Sequence, residues 1–174
     1  MKKKTAAFLA FGLLAQIAAG SLWAEVDTKS VRVSFEVRPV FMVKTVSNSS
    51  GVPDVDFGWV LPAGDPSQGE ILDVTVATNT VKPYKIYQMA TAIRSDEGAA
   101  PPESTMKFRV TPGRAGGETE ASGYEELKPG KRLIFSSRSG GGADQFQIHY
   151  QLGESEVLDA GNYYGSVTIN GELS

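Results

Sequence analysis

Apolar and polar residues alternate with a period of two along almost the whole chain beyond residue 25, the repeat of a strand with one buried face. In VRVSFEV, Val31, Val33, Phe35 and Val37 point one way while Arg32, Ser34 and Glu36 point the other. Pro39 interrupts, because it has no N–H for a ladder. VFMVKTV (40–46) resumes an extended, β-branched run that SNSSG (47–51) ends with turn residues. Further strands are predicted at VDFGWVL (55–61), EILDVTVAT (70–78), PYKIYQMATAI (83–93), MKFRVTP (106–112), KRLIFSS (131–137) and QFQIHYQL (145–152). The last is AGNYYGSVTINGELS (160–174), where Val167, Ile169 and Leu173 share one parity. Asn170-Gly171 is a hairpin signal, but only three residues follow it, too few for a returning strand. Tyr163 to Leu173 is therefore expected as one continuous strand, with Val167, Ile169 and Leu173 facing the core.

Between these runs lie PAGDPSQG, RSDEGAAPPES, GRAGGETEASGYEELKPG and RSGGGAD, rich in Gly, Pro, Ser and charge. No segment carries a sustained 3.6-residue stripe, and no internal repeat of fixed period is present. Short strands separated by turn chemistry predict an all-β fold, an antiparallel immunoglobulin-like, pilin-like β-sandwich of about 7–9 strands.

The first 24 residues stand outside that pattern. Three lysines, an apolar run from Thr5 to about Ala19 and then small residues read as a secretory signal peptide, 1–24, too short for a span of ~20 apolar residues. Cleavage is expected after Ala24, with Gly20 as the alternative. The remaining residues, 25–174, suit a single domain with one core. Removing the three signal lysines takes the net charge from −3 to −6, which gives no reason to expect nucleic acid or anionic lipid as partner. The only expected membrane dealing is through the export signal. Cysteine is absent, which removes disulfides, thiolate metal sites and cysteine nucleophiles together.

Little else carries chemistry. His149 is the only histidine. It shares strand parity with Gln145, Gln147 and Gln151, the solvent side. One histidine cannot supply the partners that a metal or a serine nucleophile needs. The acids Asp96-Glu97, Glu125-Glu126, Glu154 and Glu156 lie in loops or beside Gly, where carboxylates are normally solvated. The runs GRAGG and SGGGAD lack phosphate-loop and calcium-loop spacing and read as flexible hairpin tips. No catalytic residue, metal ligand or cofactor is expected.

Three stretches taken in order resemble a known family. The alternating start VRVSFEVRPVFMV is followed by Asp56-Phe57-Gly58, then by NTVKPYKI with Tyr84 and Ile86, and near the end by AGNYYGSVTI. This order resembles the spore coat protein U domain family of bacterial secreted pilus subunits. The two cysteines that this family places near Phe41 or Val43 and near Ala77 are missing, and 94–102 and 112–129 have no counterpart in its pattern. The resemblance implies a chaperone-usher system, in which an immunoglobulin-like subunit lacks its last strand. A periplasmic chaperone, and then the N-terminal extension of another copy or a sister subunit, fills that gap. On this reading residues 25–38 are the donor strand, presenting Val31, Val33, Phe35 and Val37. The accepting C-terminal strand carries Gly161, Val167, Ile169 and Leu173, with Phe57, Gly58, Tyr84 and Ile86 as core motif. Gly161 is fourteenth from the end, and Leu173 takes the penultimate place where an aromatic residue is common.

Three readings stand at this point. One is a non-enzymatic fibre subunit, exported through the periplasm to the cell surface and assembled by strand exchange with a chaperone and usher. The second is a monomeric secreted or periplasmic β-sandwich that binds a ligand. The third is a small secreted hydrolase.

Overall fold

The structure is a computed structural model that describes residue 32 and residues 34–53, 55–57, 69–153 and 159–174. The chain divides into two units, Met1–Val37 and Arg38–Ser174. In the first, the described residues form no strand, and Phe35 and Val37 are 87% and 70% exposed. Val31 and Val33 lie outside the described residues, as do the expected signal segment, Gly58 and Trp59.

The second unit is all-β and antiparallel. Its strands are β1 (Phe41–Ser47), β2 (Gly69–Thr78), β3 (Tyr84–Ala90), β4 (Arg94–Ser95), β5 (Met106–Val110), β6 (Glu118–Thr119), β7 (Glu125–Glu126), β8 (Gly130–Ser136), β9 (Asp144–Leu152), β10 (Tyr163–Tyr164) and β11 (Val167–Leu173). One sheet has the order β1-β2-β9-β5-β7 and another β11-β3-β8-β6, while β10 and β4 form a small ribbon. A 3₁₀ turn, Glu103–Thr105, precedes β5.

Alternation explains which faces meet. β2 sends Leu72, Val74 and Val76 inward, β9 sends Phe146, Ile148 and Tyr150, and β5 sends Phe108 and Val110. From the other sheet come Tyr84, Ile86, Ala90, Ile134 and Phe135. The sheets touch through rings: Phe135 and Phe146 stack with centroids 4.1 Å apart at 10°. Burying each such side chain contributes roughly 1.5–3 kcal/mol, so this sandwich-like layer is the main source of stability. A bulge in β8 puts Ile134 and Phe135, neighbours in sequence, both inside: Ile86 pairs with Phe135 but Tyr87 with Leu133.

Three expectations are corrected. Residues 31–37 were expected as a strand, yet Ser34–Val37 carry none, because backbone alternation makes a strand only where a ladder partner is present. At 55–61, the described residues Val55–Phe57 are likewise not strand, although Phe57 packs half-buried against the core. The terminal run is not continuous from Tyr163. It breaks at Gly165 and Ser166, where Ser166 exchanges bonds with Thr91: Thr91 N–H donates to Ser166 O (2.9 Å) and Ser166 N–H donates to Thr91 Oγ1 (2.8 Å). β10 thus serves β4 and β11 serves β3.

Candidate functional site

The least covered part of the core lies where two sheet edges face each other. β1 pairs only with β2 and β11 only with β3 among the described residues, so each has one unpaired backbone edge. Most inward residues on interior strands are buried, Met106 of β5 being half-buried, whereas Phe41 and Val43 of β1 and Val167 and Ile169 of β11 all pack on the core while remaining half-buried. Leu173, expected to face the core, is 45% exposed, because it stands at the strand end, level with Tyr84.

The start of β1 is held by one amide. Val40 N–H donates to Asn79 Oδ1 (2.7 Å), and Asn79 Nδ2 donates to Arg38 O (2.8 Å). This fixes where Phe41 enters the seam, with its ring 5.4 Å from that of Tyr84. Across the seam Gly171 is pressed by β1: a Cβ there would lie 2.7 Å from the Phe41 ring and 2.8 Å from Val43 Cγ2. On the outer face, the Lys131 ammonium sits 4.1 Å over the Tyr87 ring and pairs with Glu172, fastening β11 to the strands behind it.

Such an edge can do one thing without further chemistry. Its unpaired N–H and C=O groups can take an extended chain, whose alternate side chains would meet the half-covered apolar residues.

The remaining site expectations separate. Tyr84 and Ile86 are fully buried. Gly161 is not part of the terminal strand: it lies exposed in the turn before β10, beside Asp96. Phe35 and Val37 belong to the first unit and are exposed.

Two buried polar residues escaped the sequence reading: Gln88 is a polar residue on an apolar parity, and Asp144 ends the run RSGGGAD, expected as a loop, whereas β9 begins with it. Gln88 shares its face with Ile86 and Ala90, and its Oε1 accepts the buried Tyr150 hydroxyl (2.9 Å). Asp144 shares the face of Phe146 and is buried, accepting from the N–H groups of Ala115 (2.8 Å), Gly117 (3.1 Å) and Gln145 (2.7 Å). The GRAGG run, expected as a flexible tip, is tied down by this carboxylate. For Gln88, a polar residue breaking an otherwise apolar parity was the available signal.

Electrostatics follow burial. Desolvation, with the Asp144 carboxylate adding to it and Arg138 opposing, pushes the Tyr84 hydroxyl up to about 12. Burial also raises Tyr150. His149 is lowered, first by burial and then by Arg109, whose Nη2 lies 3.5 Å from Nδ1. Among the described acids, Glu125 pairs with Arg132, Glu126 with Lys128, and Asp96 accepts from Asn162. Glu154 and Glu156 lie outside the described residues. No group of three or more His, Asp or Glu among the described residues could hold a metal.

No protein-family model matches the chain, and no curated protein is significantly similar to it. Among solved structures, a family 123 glycoside hydrolase from Clostridium perfringens, studied for glycolipid glycan hydrolysis, aligns over 75% of this chain at 10% identity with a TM-score of 0.38. The chain spans 24% of that protein's length, and likeness of this degree assigns neither family nor activity.

Proposed function

We propose that this chain is an exported, non-enzymatic structural subunit of a bacterial surface fibre that assembles by β-strand addition at the outer edge of β11. The observation that carries the reading is the edge itself: β11 pairs only with β3 among the described residues, so about every second one of its seven residues turns its N–H and C=O away from that ladder, beside a half-covered apolar seam. The strand order supports it. On this reading β1-β2-β9-β5 corresponds to the A-B-E-D order of an immunoglobulin-like sandwich and β11-β3 to F-C, with β7, β8 and β6 as additions to that scheme, and strand G would then lie beside β11. A donor is also at hand in residues 26–37, of which 31–37 alternate and Phe35 and Val37 are exposed. Main-chain bonds supply affinity in such an addition and alternate side chains supply register. The partners are other copies of the chain or sister subunits, with a periplasmic chaperone and usher handling the open edge during export.

The test is deletion of residues 25–37 with and without a co-expressed chaperone of the cognate system. The shortened chain should still fold when the chaperone is supplied, and size-exclusion chromatography should show that it no longer forms the polymers of the intact mature chain. A mature chain that stays monomeric at high concentration, and is unchanged by the deletion, overturns the reading.

A further inference from the structure

A second feature lies on the opposite side of the five-stranded sheet from the core. Outward positions of β2, β9 and the segment after β5 form a depression of about 420 Å³ whose lining includes Asp73, Thr75, Pro112, Arg114, Gln145 and Gln147. That volume is in the range of small-ligand sites. Its polar groups are arranged against one another: Gln147 Nε2 donates to Asp73 Oδ1 (2.9 Å) and Arg114 Nη1 donates to Gln145 Oε1 (3.3 Å). Each of these four side chains keeps hydrogen-bonding capacity beyond those two bonds. Asp73 has a second carboxylate oxygen, Gln147 its carbonyl oxygen, Gln145 its amide donors, and Arg114 most of its guanidinium.

The wall of the depression is built, not incidental. Thr111 N–H donates to Gln147 O (2.9 Å) and Arg114 N–H to Gln145 O (3.0 Å), which lays residues 111–114 along β9. Buried Asp144 then takes the N–H groups of Ala115 and Gly117. A side chain on Gly113 would displace Asp144, and one on Gly117 would meet the Phe135 ring first and Asp144 second. Burying a carboxylate is expensive unless its bonds are satisfied, so this device fixes a loop that nothing in strand addition requires. What the fixed loop accomplishes is to hold Arg114 over Gln145.

We propose that this depression binds a neutral saccharide. The chemistry selects the class. The spare groups mix acceptors with donors, and one acid balances one guanidinium, so an anion meets Asp73 and a cation meets Arg114. Sugar hydroxyls donate and accept at once and match such a set, while the pyrrolidine ring of Pro112 offers a small apolar face. The site is shallow and open to solvent, so binding is weak and fast in exchange.

The test is an NMR titration of the isotope-labelled full chain with lactose, maltose and N,N′-diacetylchitobiose, with sodium sulfate in parallel. At least one disaccharide should shift the amides of 73–75, 111–114 and 145–147 saturably. Gln147→Ala and Arg114→Ala, both on the solvent face, should each weaken that binding about fivefold or more, the loss of roughly one hydrogen bond. The proposal is overturned if no disaccharide moves these amides, if sulfate alone saturates them, or if neither substitution weakens the sugar. None of these outcomes bears on strand addition, whose own test is polymerisation.

Discussion

Phe41 and Gly171 meet across the open seam, the ring of one lying where the side chain of the other would be: a Cβ on Gly171 would stand 2.7 Å from Phe41 Cε1 and Cζ. Gly171 is not among the glycines with positive φ, so it is needed for space and not for backbone conformation. A glycine inside a strand weakens it, and close approach by a neighbour is the usual reason for one.

Gly171→Ala should therefore destabilise the domain by about 1–3 kcal/mol, the usual range for overpacking. Phe41→Ala should relieve part of that strain, leaving the contact with Val43 Cγ2 at 2.8 Å. In a double-mutant cycle by denaturant unfolding, the pair should be non-additive by at least about 0.5 kcal/mol. Strict additivity would show that the ring does not rest on Gly171.

Tyr150 and Gln88 form a buried polar pair between the sheets. Tyr150→Phe should cost about 1–2 kcal/mol, because it leaves the Gln88 carbonyl oxygen without its donor inside the core. Changing both, to Phe and Leu, should recover part of the loss. If the double variant is less stable than the sum of the singles, the pair is not what makes either residue matter.

Asp144→Ala should cost at least about 2 kcal/mol by stranding the N–H groups of Ala115, Gly117 and Gln145. Hydrogen exchange at Ala115 and Gly117 should accelerate well beyond the global effect. Unchanged exchange there would mean that the loop is held by its turns alone.

His149 makes stability depend on pH in a direction set by its environment. Its pKa lies below 6.5 in the folded chain, through burial first and Arg109 second, with Asp73 opposing. The unfolded chain thus takes up this proton at higher pH than the folded one. The contribution is present above 6.5 and is lost as pH falls through the lower folded-state value. Melting temperatures measured between about pH 7.5 and 5.5 should fall more steeply for the parent than for His149→Gln. Parallel curves for the two proteins sink this account.

Local alternation was enough to place the long strands, because a period of two is a property of neighbouring residues and needs no knowledge of the partner. β2, β8 and β9 run within a residue of where the pattern put them, and Asn170-Gly171 sits inside β11 and not in a turn. The terminal run shows the limit. Its pattern reads without a break, yet Ser166 bonds to Thr91, 75 residues away, and the strand divides there between two partners.

VRVSFEV alternates more cleanly than VFMVKTV, yet among the described residues only the second is strand. Phe41–Ser47 found β2 as a ladder, while the described residues of 31–37 pair with nothing in strand form. Asp144 and Gln88 carry the same lesson inside the core: one was expected in a loop and the other on an apolar parity, and only tertiary packing supplied the backbone N–H groups and the tyrosine hydroxyl that make a buried carboxylate and a buried amide tolerable. Local pattern located the long strands and the buried face of β2, β3 and β9, but not the bulge that turns both Ile134 and Phe135 inward. Tertiary structure decided which edges stay open, because an unpaired edge is defined by the absence of a neighbour in space, and no local pattern records that.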